Sequence, residues 1–229
     1  MWWFLLLACP AEQLGVTLPA GGVEAMSNED LQRDVWSLSR AELKDRRVGT
    51  PGHRLGVERI ASRFQQMHTL PAIGEAGMQV AGDGFNLCMV QKGKSQEHVL
   101  LSTTDHGHGA YQSASGVAGL IALAKTFDGA ERPPHSVLFC VFAGEEGQAV
   151  FESEPVVPWD TVRTRIAVGP LGSPGELVVS KEEHGGLFIR SPEPSEAKSP
   201  GLEEDLDFRM VLSQLREIHA VINEEMLRP

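Results

Sequence analysis

The chain has 229 residues and a mass of 24.9 kDa, a length that suits one large domain with a buried core. Its 31 acidic and 20 basic residues give a formal net charge of −11, which disfavours binding to nucleic-acid phosphates. No apolar run approaches the roughly 20 residues of a membrane-spanning helix. The three cysteines are too few for a disulfide framework, and we expect Cys88 and Cys140 to be buried, unreactive thiols.

The N-terminal segment has two interpretations. Residues 1–9 read Met-Trp-Trp-Phe-Leu-Leu-Leu-Ala-Cys and end like a bacterial lipoprotein cleavage box at Cys9, but the first basic residue is only Arg33. Alternatively, Met26 is the true start and opens a cytoplasmic terminus. The first interpretation implies the cell envelope or secretion, and the second implies the cytoplasm. In both cases residues 1–27 are expected to lie outside a single folded domain that spans residues 28–229.

Helical and strand-like patterns alternate from Asn28 onward, which predicts an α/β domain with a mostly parallel sheet. Apolar residues at helical spacing predict helices over residues 30–44, 113–127 and 207–226. Another helix follows a Thr50 cap and Pro51, with an apolar stripe that runs from Leu55 to Met67. Ser113 is the expected cap of the helix over residues 113–127.

Two short apolar runs, over residues 98–103 and 135–143, predict buried central strands. A hairpin-like sequence around residues 85–90 precedes them. Weaker strands are expected later in the chain, followed by a surface loop that is rich in Pro, Ser and Glu. These weaker segments span residues 161–168, 176–180 and 186–190, and the loop spans residues 191–200.

Three acidic residues follow the two predicted central strands. Asp105 comes after the first strand, and Glu145 and Glu146 come after the second. Because ligand sites in open α/β sheets lie at the carboxyl ends of strands, we expect these side chains in one cleft. One adjacent carboxylate could face a metal ion while the other serves as general base. The alternative is a solvated acidic turn, since charged side chains are exposed by default.

Several segments occur in an order that resembles one known family. Gly49-Thr-Pro-Gly-His-Arg-Leu-Gly is similar to its opening helix, and Leu100-Leu-Ser-Thr-Thr-Asp-His to a Leu-Ser-Ala-His-x-Asp-His segment. Gly109-Ala-Tyr-Gln-Ser-Ala-Ser-Gly-Val-Ala resembles Gly-Ala-Asp-Asp-Asn-Ala-Ser-Gly-Val-Ala, and Ala143-Gly-Glu-Glu-Gly resembles Ala-Glu-Glu-x-Gly. Ser199-Pro-Gly resembles the loop before the final helix. These motifs are those of the co-catalytic dizinc aminopeptidases, which include bacterial leucyl aminopeptidase and are related to glutamate carboxypeptidase, the transferrin receptor ectodomain and glutaminyl cyclase.

The resemblance covers residues 28–226 and implies a three-layer α/β sandwich of the zinc-exopeptidase type. In that family a His, a bridging Asp, a Glu, a second Asp and a final His hold two zinc ions that activate a shared water. The resemblance places Glu145 at the general base and Glu146 at one ligand. It places Asp105 at the carboxylate that orients the first His.

The remaining ligand positions carry other residues. The resemblance puts Thr103 at the first His, Gln112 at the bridging Asp and Lys198 at the final His. The second Asp should lie near residues 168–170, which read Val-Gly-Pro. Thr and Gln are weak neutral donors and a protonated Lys repels cations, so the sequence predicts that a zinc pair cannot be held.

We therefore expect a non-catalytic homologue without a cofactor, whose ligand is a peptide or an unidentified protein. The alternative is an active aminopeptidase with one zinc, held by Glu146 or Asp105 with His106 and His108. A poorly folding gene fragment is a third possibility. We also expect Lys198 to supply positive charge to Glu146, against the alternative of a solvated surface lysine.

Overall fold

The computed structural model describes residues 22–40, 43, 45–107, 109, 113–129, 131–173, 175–181, 186–192 and 206–227. Within these ranges the chain forms five α-helices and one eight-stranded sheet. The helices are α1 (Asn28–Ser39), α2 (Pro51–Gln65), α3 (Ser115–Lys125), α4 (Gly144–Ser153) and α5 (Phe208–Leu227). The strands are β1 (Leu70–Pro71), β2 (Met78–Ala81), β3 (Gly84–Gln91), β4 (His98–Asp105), β5 (Ser136–Ala143), β6 (Val162–Val168), β7 (Val178–Lys181) and β8 (Leu187–Arg190).

The sheet is parallel at its centre and antiparallel at its edges. Its order is β1-β3-β5-β4-β6-β8-β7, and β2 also pairs with β3. Strands β5, β4, β6 and β8 run parallel to one another. Strand β3 is antiparallel to β5, and β7 is antiparallel to β8. The predicted α/β class is confirmed.

Helices pack on both faces of the sheet, which gives the predicted three layers. On one face, Leu101 and Phe139 join a large core with α1, α2, α3 and α5. On the other face, Leu138 and Phe142 form a smaller core with Phe151 of α4. The alternation of side chains along β4 and β5 separates the two cores, as the pleat requires. None of the described helices has the length and apolar character that a membrane crossing requires.

The structure confirms some predicted helix starts and corrects other bounds. Thr50 caps α2 by accepting a hydrogen bond from the amide of His53, with Pro51 at the first helical position. Helix α1 ends at Ser39 rather than at residue 44, because Arg40 has an extended backbone. Leu55, expected in the buried stripe of α2, is 49% exposed. Leu55 is two residues before the buried Val57, and two residues are about 200° apart around the helix axis, so Leu55 lies on the opposite face.

Helix α3 begins at Ser115, not at Ser113, and the expected Ser113 cap is wrong. The residue at the cap position is Ala114, which makes no side-chain capping bond. The Ser113 hydroxyl instead donates a hydrogen bond to the carboxylate of Asp105. The Ser113 side chain thus bonds the buried carboxylate of Asp105, whereas the sequence pattern predicted a bond to a helix amide.

Cys88 and Cys140 form a disulfide, which corrects the expectation of free thiols. They lie opposite each other on β3 and β5, with Cα atoms 4.3 Å apart. This close approach is typical of antiparallel partners that do not exchange backbone hydrogen bonds. Both cysteines are fully buried, as expected. They are 52 positions apart in the sequence, so only the pairing of the two strands reveals their proximity.

Candidate functional site

The three acidic residues lie at one edge of the sheet. Strands β4 and β5 run side by side, with Asp105 opposite Ala143 in the register. The next residues after Ala143 form the first turn of α4, which contains Glu145 and Glu146. The carboxyl ends of two neighbouring parallel strands therefore deliver Asp105, Glu145 and Glu146 to the place where α/β proteins bind ligands.

The glutamates and Asp105 have different surroundings. Glu145 and Glu146 are exposed. The Glu146 carboxylate lies against the turn between β2 and β3, since a Cβ atom on Gly82 would be 2.3 Å from its Oε1. Asp105 is only 7% exposed. Across the described part of the chain, no group of three or more His, Cys, Asp and Glu side chains could hold a metal ion.

Asp105 is bound by a buried arginine that sequence reasoning missed. The Nε and Nη2 atoms of Arg46 lie 3.1 and 3.2 Å from Oδ2 and Oδ1 of Asp105. The Ser113 hydroxyl and the Gly107 amide also donate to Oδ1. Burial by itself would raise the pKa of Asp105, but the charge and hydrogen bonds of Arg46, with those of Ser113 and Gly107, hold it below its ordinary value. Asp105 is therefore a buried, ionised carboxylate.

Thr103 lies on β4, two residues before Asp105, and is 3% exposed. Its side chain faces the start of α3, because a Cβ atom on Gly116 would be 2.8 Å from Thr103 Oγ1. The same Cβ atom would be 3.2 Å from the carbonyl of Gly169, which directly follows β6. The resemblance calls for zinc ligands at Thr103 and near residues 168–170. These two positions therefore lie near each other, beside Gly116.

Asn86 of β3 fixes the turn that carries the two glutamates. Its Nδ2 donates to the carbonyl of Gly147 over 2.7 Å and to Gln79 Oε1 over 3.0 Å. Its Oδ1 accepts a hydrogen bond from the amide of Ala143 over 3.0 Å. The side chain is fully buried. Asn86 therefore contacts the backbone on both sides of the glutamate pair, which limits where that pair can lie.

Three of the predicted site residues, His108, Gln112 and Lys198, lie outside the described residues. The contact between Lys198 and Glu146 therefore stays a prediction. His106 directly follows β4 and is exposed. Within the described residues, the structure places Arg46 beside an acidic site residue, Asp105. Its neighbour Arg47 is exposed and pairs with Asp45, and no local sequence signal separates the two arginines.

Comparison with known sequences supports the resemblance. Residues 86–179 match the sequence model of Peptidase family M28. This segment runs from β3 into β7 and contains Asp105, Glu145 and Glu146. No curated protein matches the chain in sequence. The resemblance to the dizinc aminopeptidases is thus confirmed by a segment that includes the carboxyl edge of the sheet.

Solved structures share the fold at low sequence identity. Porphyromonas gingivalis glutaminyl cyclase superposes with a TM-score of 0.69 at 12% identity, over 88% of this chain and 99% of that chain. A Zn-dependent exopeptidase from Parabacteroides distasonis gives 0.68 at 14% identity, over 88% and 99%. An aminopeptidase from Aneurinibacillus sp. strain AM-1 gives 0.70 at 10% identity, over 89% and 95%. These likenesses show the shared fold.

Proposed function

We propose that this relative of the M28 peptidases is a non-catalytic homologue that uses the peptidase fold to bind a peptide or a protein ligand. The surroundings of two neighbouring residues on β4 carry the proposal. Thr103, at the position where the resemblance calls for the first His ligand, is a buried threonine. Asp105, which should orient that histidine, is instead bonded to Arg46.

The chemistry of the donors supports this proposal. Zinc sites are built from His, Cys and carboxylate groups, and a threonine hydroxyl is a poor substitute. The guanidinium of Arg46 adds a positive charge beside Asp105, which opposes a second cation there. Gln112 and Lys198 complete a set of residues that does not fit a zinc pair.

The exposed glutamates suggest what the site could bind. Glu145 and Glu146 are adjacent carboxylates at the carboxyl edge of the sheet, and their backbone is held by Asn86. A fixed pair of carboxylates complements a cationic group, such as the free amino terminus of a peptide. The proposed ligand is therefore a peptide or protein segment that brings positive charge to this edge.

Metal content and hydrolysis, measured together on the full chain, test the proposal. The purified protein is analysed for metals after dialysis, and hydrolysis of aminoacyl anilides is followed with and without added zinc. We expect less than stoichiometric metal and no hydrolysis above that of a Glu145→Gln control. A bound metal in equimolar amount, with turnover that Glu145→Gln removes, would instead support an aminopeptidase with one zinc near Glu146, His106 and His108. A thermal melt identifies a poorly folded fragment.

We also propose that the folded domain resides in the cell envelope or outside the cell. The Cys88–Cys140 disulfide supports this location, because such bonds persist in oxidising compartments and are rare in the cytosol. A leader that ends at Cys9 would direct the chain there. The test is to alkylate free thiols in intact cells before lysis and to map Cys88 and Cys140 by mass spectrometry. Both cysteines blocked without reductant would favour the cytoplasmic start at Met26.

A further inference from the structure

Arg46 uses all of its polar groups inside the protein. Its guanidinium binds Asp105 through two nitrogens, and Nη2 also donates to Ser113 Oγ over 3.3 Å. Its Nη1 donates to the carbonyls of Leu38 and Leu43. Each N–H donor of the guanidinium therefore has an acceptor, although the side chain is only 1% exposed.

The backbone of Arg46 is held as firmly as its side chain. Its amide donates to the carbonyl of Gly107 over 2.7 Å. Its carbonyl accepts from Nδ1 of His53, whose Nε2 accepts from the amide of Phe85 on β3. Because the Gly107 amide donates to Asp105, the segment around Arg46 and the end of β4 form a closed ring of hydrogen bonds. Arg46 therefore connects α2 and β3 to the end of β4.

Two glycines make room for this arrangement. A Cβ atom on Gly56 of α2 would lie 2.9 Å from Cδ of Arg46. Gly107 has φ +84°, and a Cβ atom there would lie 2.4 Å from the backbone nitrogen of Arg47. Both positions therefore exclude larger residues, Gly56 because of the arginine stem and Gly107 because of the backbone beside it. The surroundings are built around a buried arginine at position 46.

We propose that Arg46 is a resident cation that positions the end of β4 and the start of α3, so that this part of the carboxyl edge of the sheet takes its shape without a metal ion. The proposal deepens the proposed function, on which it rests for the absence of a metal. Asp105 and Ser113 are the groups through which Arg46 acts. A lysine at position 46 would supply the positive charge but could not bind Asp105 through two nitrogens in a fixed geometry. It should therefore restore only part of the stability that Arg46 provides.

The test compares Arg46→Met and Arg46→Lys with a matched surface control, Arg54→Met. Arg54 pairs with Glu58 over 3.1 Å, but both side chains are exposed. We expect Arg46→Met to lower the melting temperature by roughly 6–20 °C, because it leaves Asp105 as an unpaired buried charge. Arg46→Lys should lie between Arg46→Met and wild type, and Arg54→Met should melt like wild type.

Hydrogen exchange at the Gly107 amide supplies a local readout that a general loss of stability would not give. This amide donates to Asp105 over 2.9 Å. We expect chelator to leave its protection in the wild type unchanged, and Arg46→Lys to lose protection there before the core strands do. If Arg46→Met is insoluble, the double variant Arg46→Met with Asp105→Leu should recover soluble, folded protein, because it removes both charges.

Several outcomes would overturn the role of Arg46. These are an Arg46→Met protein that melts like Arg54→Met, loss of Gly107 protection on chelation, or full rescue of Arg46→Met by zinc. A different outcome separates this inference from the proposed function. If the wild type hydrolyses aminoacyl anilides with zinc while the arginine variants behave as expected, the non-catalytic proposal is wrong and the positioning role of Arg46 stands.

Discussion

Asn86 donates a hydrogen bond to the backbone carbonyl of Gly147 over 2.7 Å, and this bond joins an antiparallel strand to the helix with the two exposed glutamates. The approach is so close that a Cβ atom on Gly147 would lie 2.3 Å from Asn86 Oδ1. Gln79 extends the contact by donating to the carbonyl of Glu154, just beyond the end of α4. Two side-chain amides therefore hold both ends of this short helix.

Replacing Asn86 by alanine should destabilise the protein strongly. The change leaves the buried Ala143 amide without its acceptor and removes the second bond to the Gly147 carbonyl, which lies inside α4. An unsatisfied buried group costs about 1–3 kcal/mol and a lost hydrogen bond about 1 kcal/mol, so we expect a loss of about 3 kcal/mol in the free energy of unfolding. Urea denaturation gives this value. Asn223→Ala, at an exposed position of α5, is the control and should cost almost nothing.

Removing the disulfide should also lower stability. The bond joins residues 52 positions apart, and the loop-closure relation gives roughly 4 kcal/mol for such a loop. We expect the double variant Cys88→Ala with Cys140→Ala to lose about 2–4 kcal/mol. Wild type in reductant should approach the stability of this variant, and the variant itself should not respond to reductant. Equal stability of the wild type and the variant without reductant would contradict the disulfide.

Two histidines should make stability fall in mild acid. Burial lowers the pKa of His219, which packs against Phe127, and burial is the main cause that lowers the pKa of His98. Folding therefore favours the neutral imidazoles. Their contribution to the free energy of unfolding is complete above pH 6.5, the pKa of an unfolded histidine. It is lost as the pH falls through the lower pKa values of the folded state.

The variant His219→Gln tests this pH dependence. We expect the free energy of unfolding to fall less between pH 7 and 5 in this variant than in wild type, when both are measured by urea denaturation. Identical slopes in wild type and His219→Gln would show that His219 does not contribute.

The sequence predicted the elements whose signals are local. Thr50 and Pro51 mark the start of α2 through capping chemistry and a fixed φ, and both depend only on the next few residues. The run that became β5 is buried along its whole length and apolar after Ser136, because both of its faces are covered. By contrast, Arg46 differs from Arg47 through contacts with residues distant in the sequence, above all with Asp105, 59 positions later. Such long-range contacts leave no pattern in a single sequence.

Ser113→Ala and Thr50→Ala should behave differently. Thr50→Ala removes a helix cap and should cost about 1 kcal/mol. Ser113→Ala removes a donor to a buried carboxylate and should cost about 2 kcal/mol. Ser113→Ala should also be non-additive with Arg46→Lys, because Ser113 and Arg46 share Asp105. Additivity in this double variant would separate Ser113 from the Arg46 network.

The division of the hydrophobic interior into two cores has a consequence for the order in which the structure opens. Among the five described α-helices, α4 alone contributes to the smaller core, through Phe151. Four helices and the opposite face of the sheet make up the larger core. A fluctuation that detaches α4 would break the Asn86 and Gln79 bonds and move both glutamates, yet leave the larger core and the Arg46–Asp105 pair intact. We therefore expect the unit that contains Glu145 and Glu146 to open at lower free energy than the surroundings of Asp105, and a ligand bound to the two glutamates to slow its hydrogen exchange.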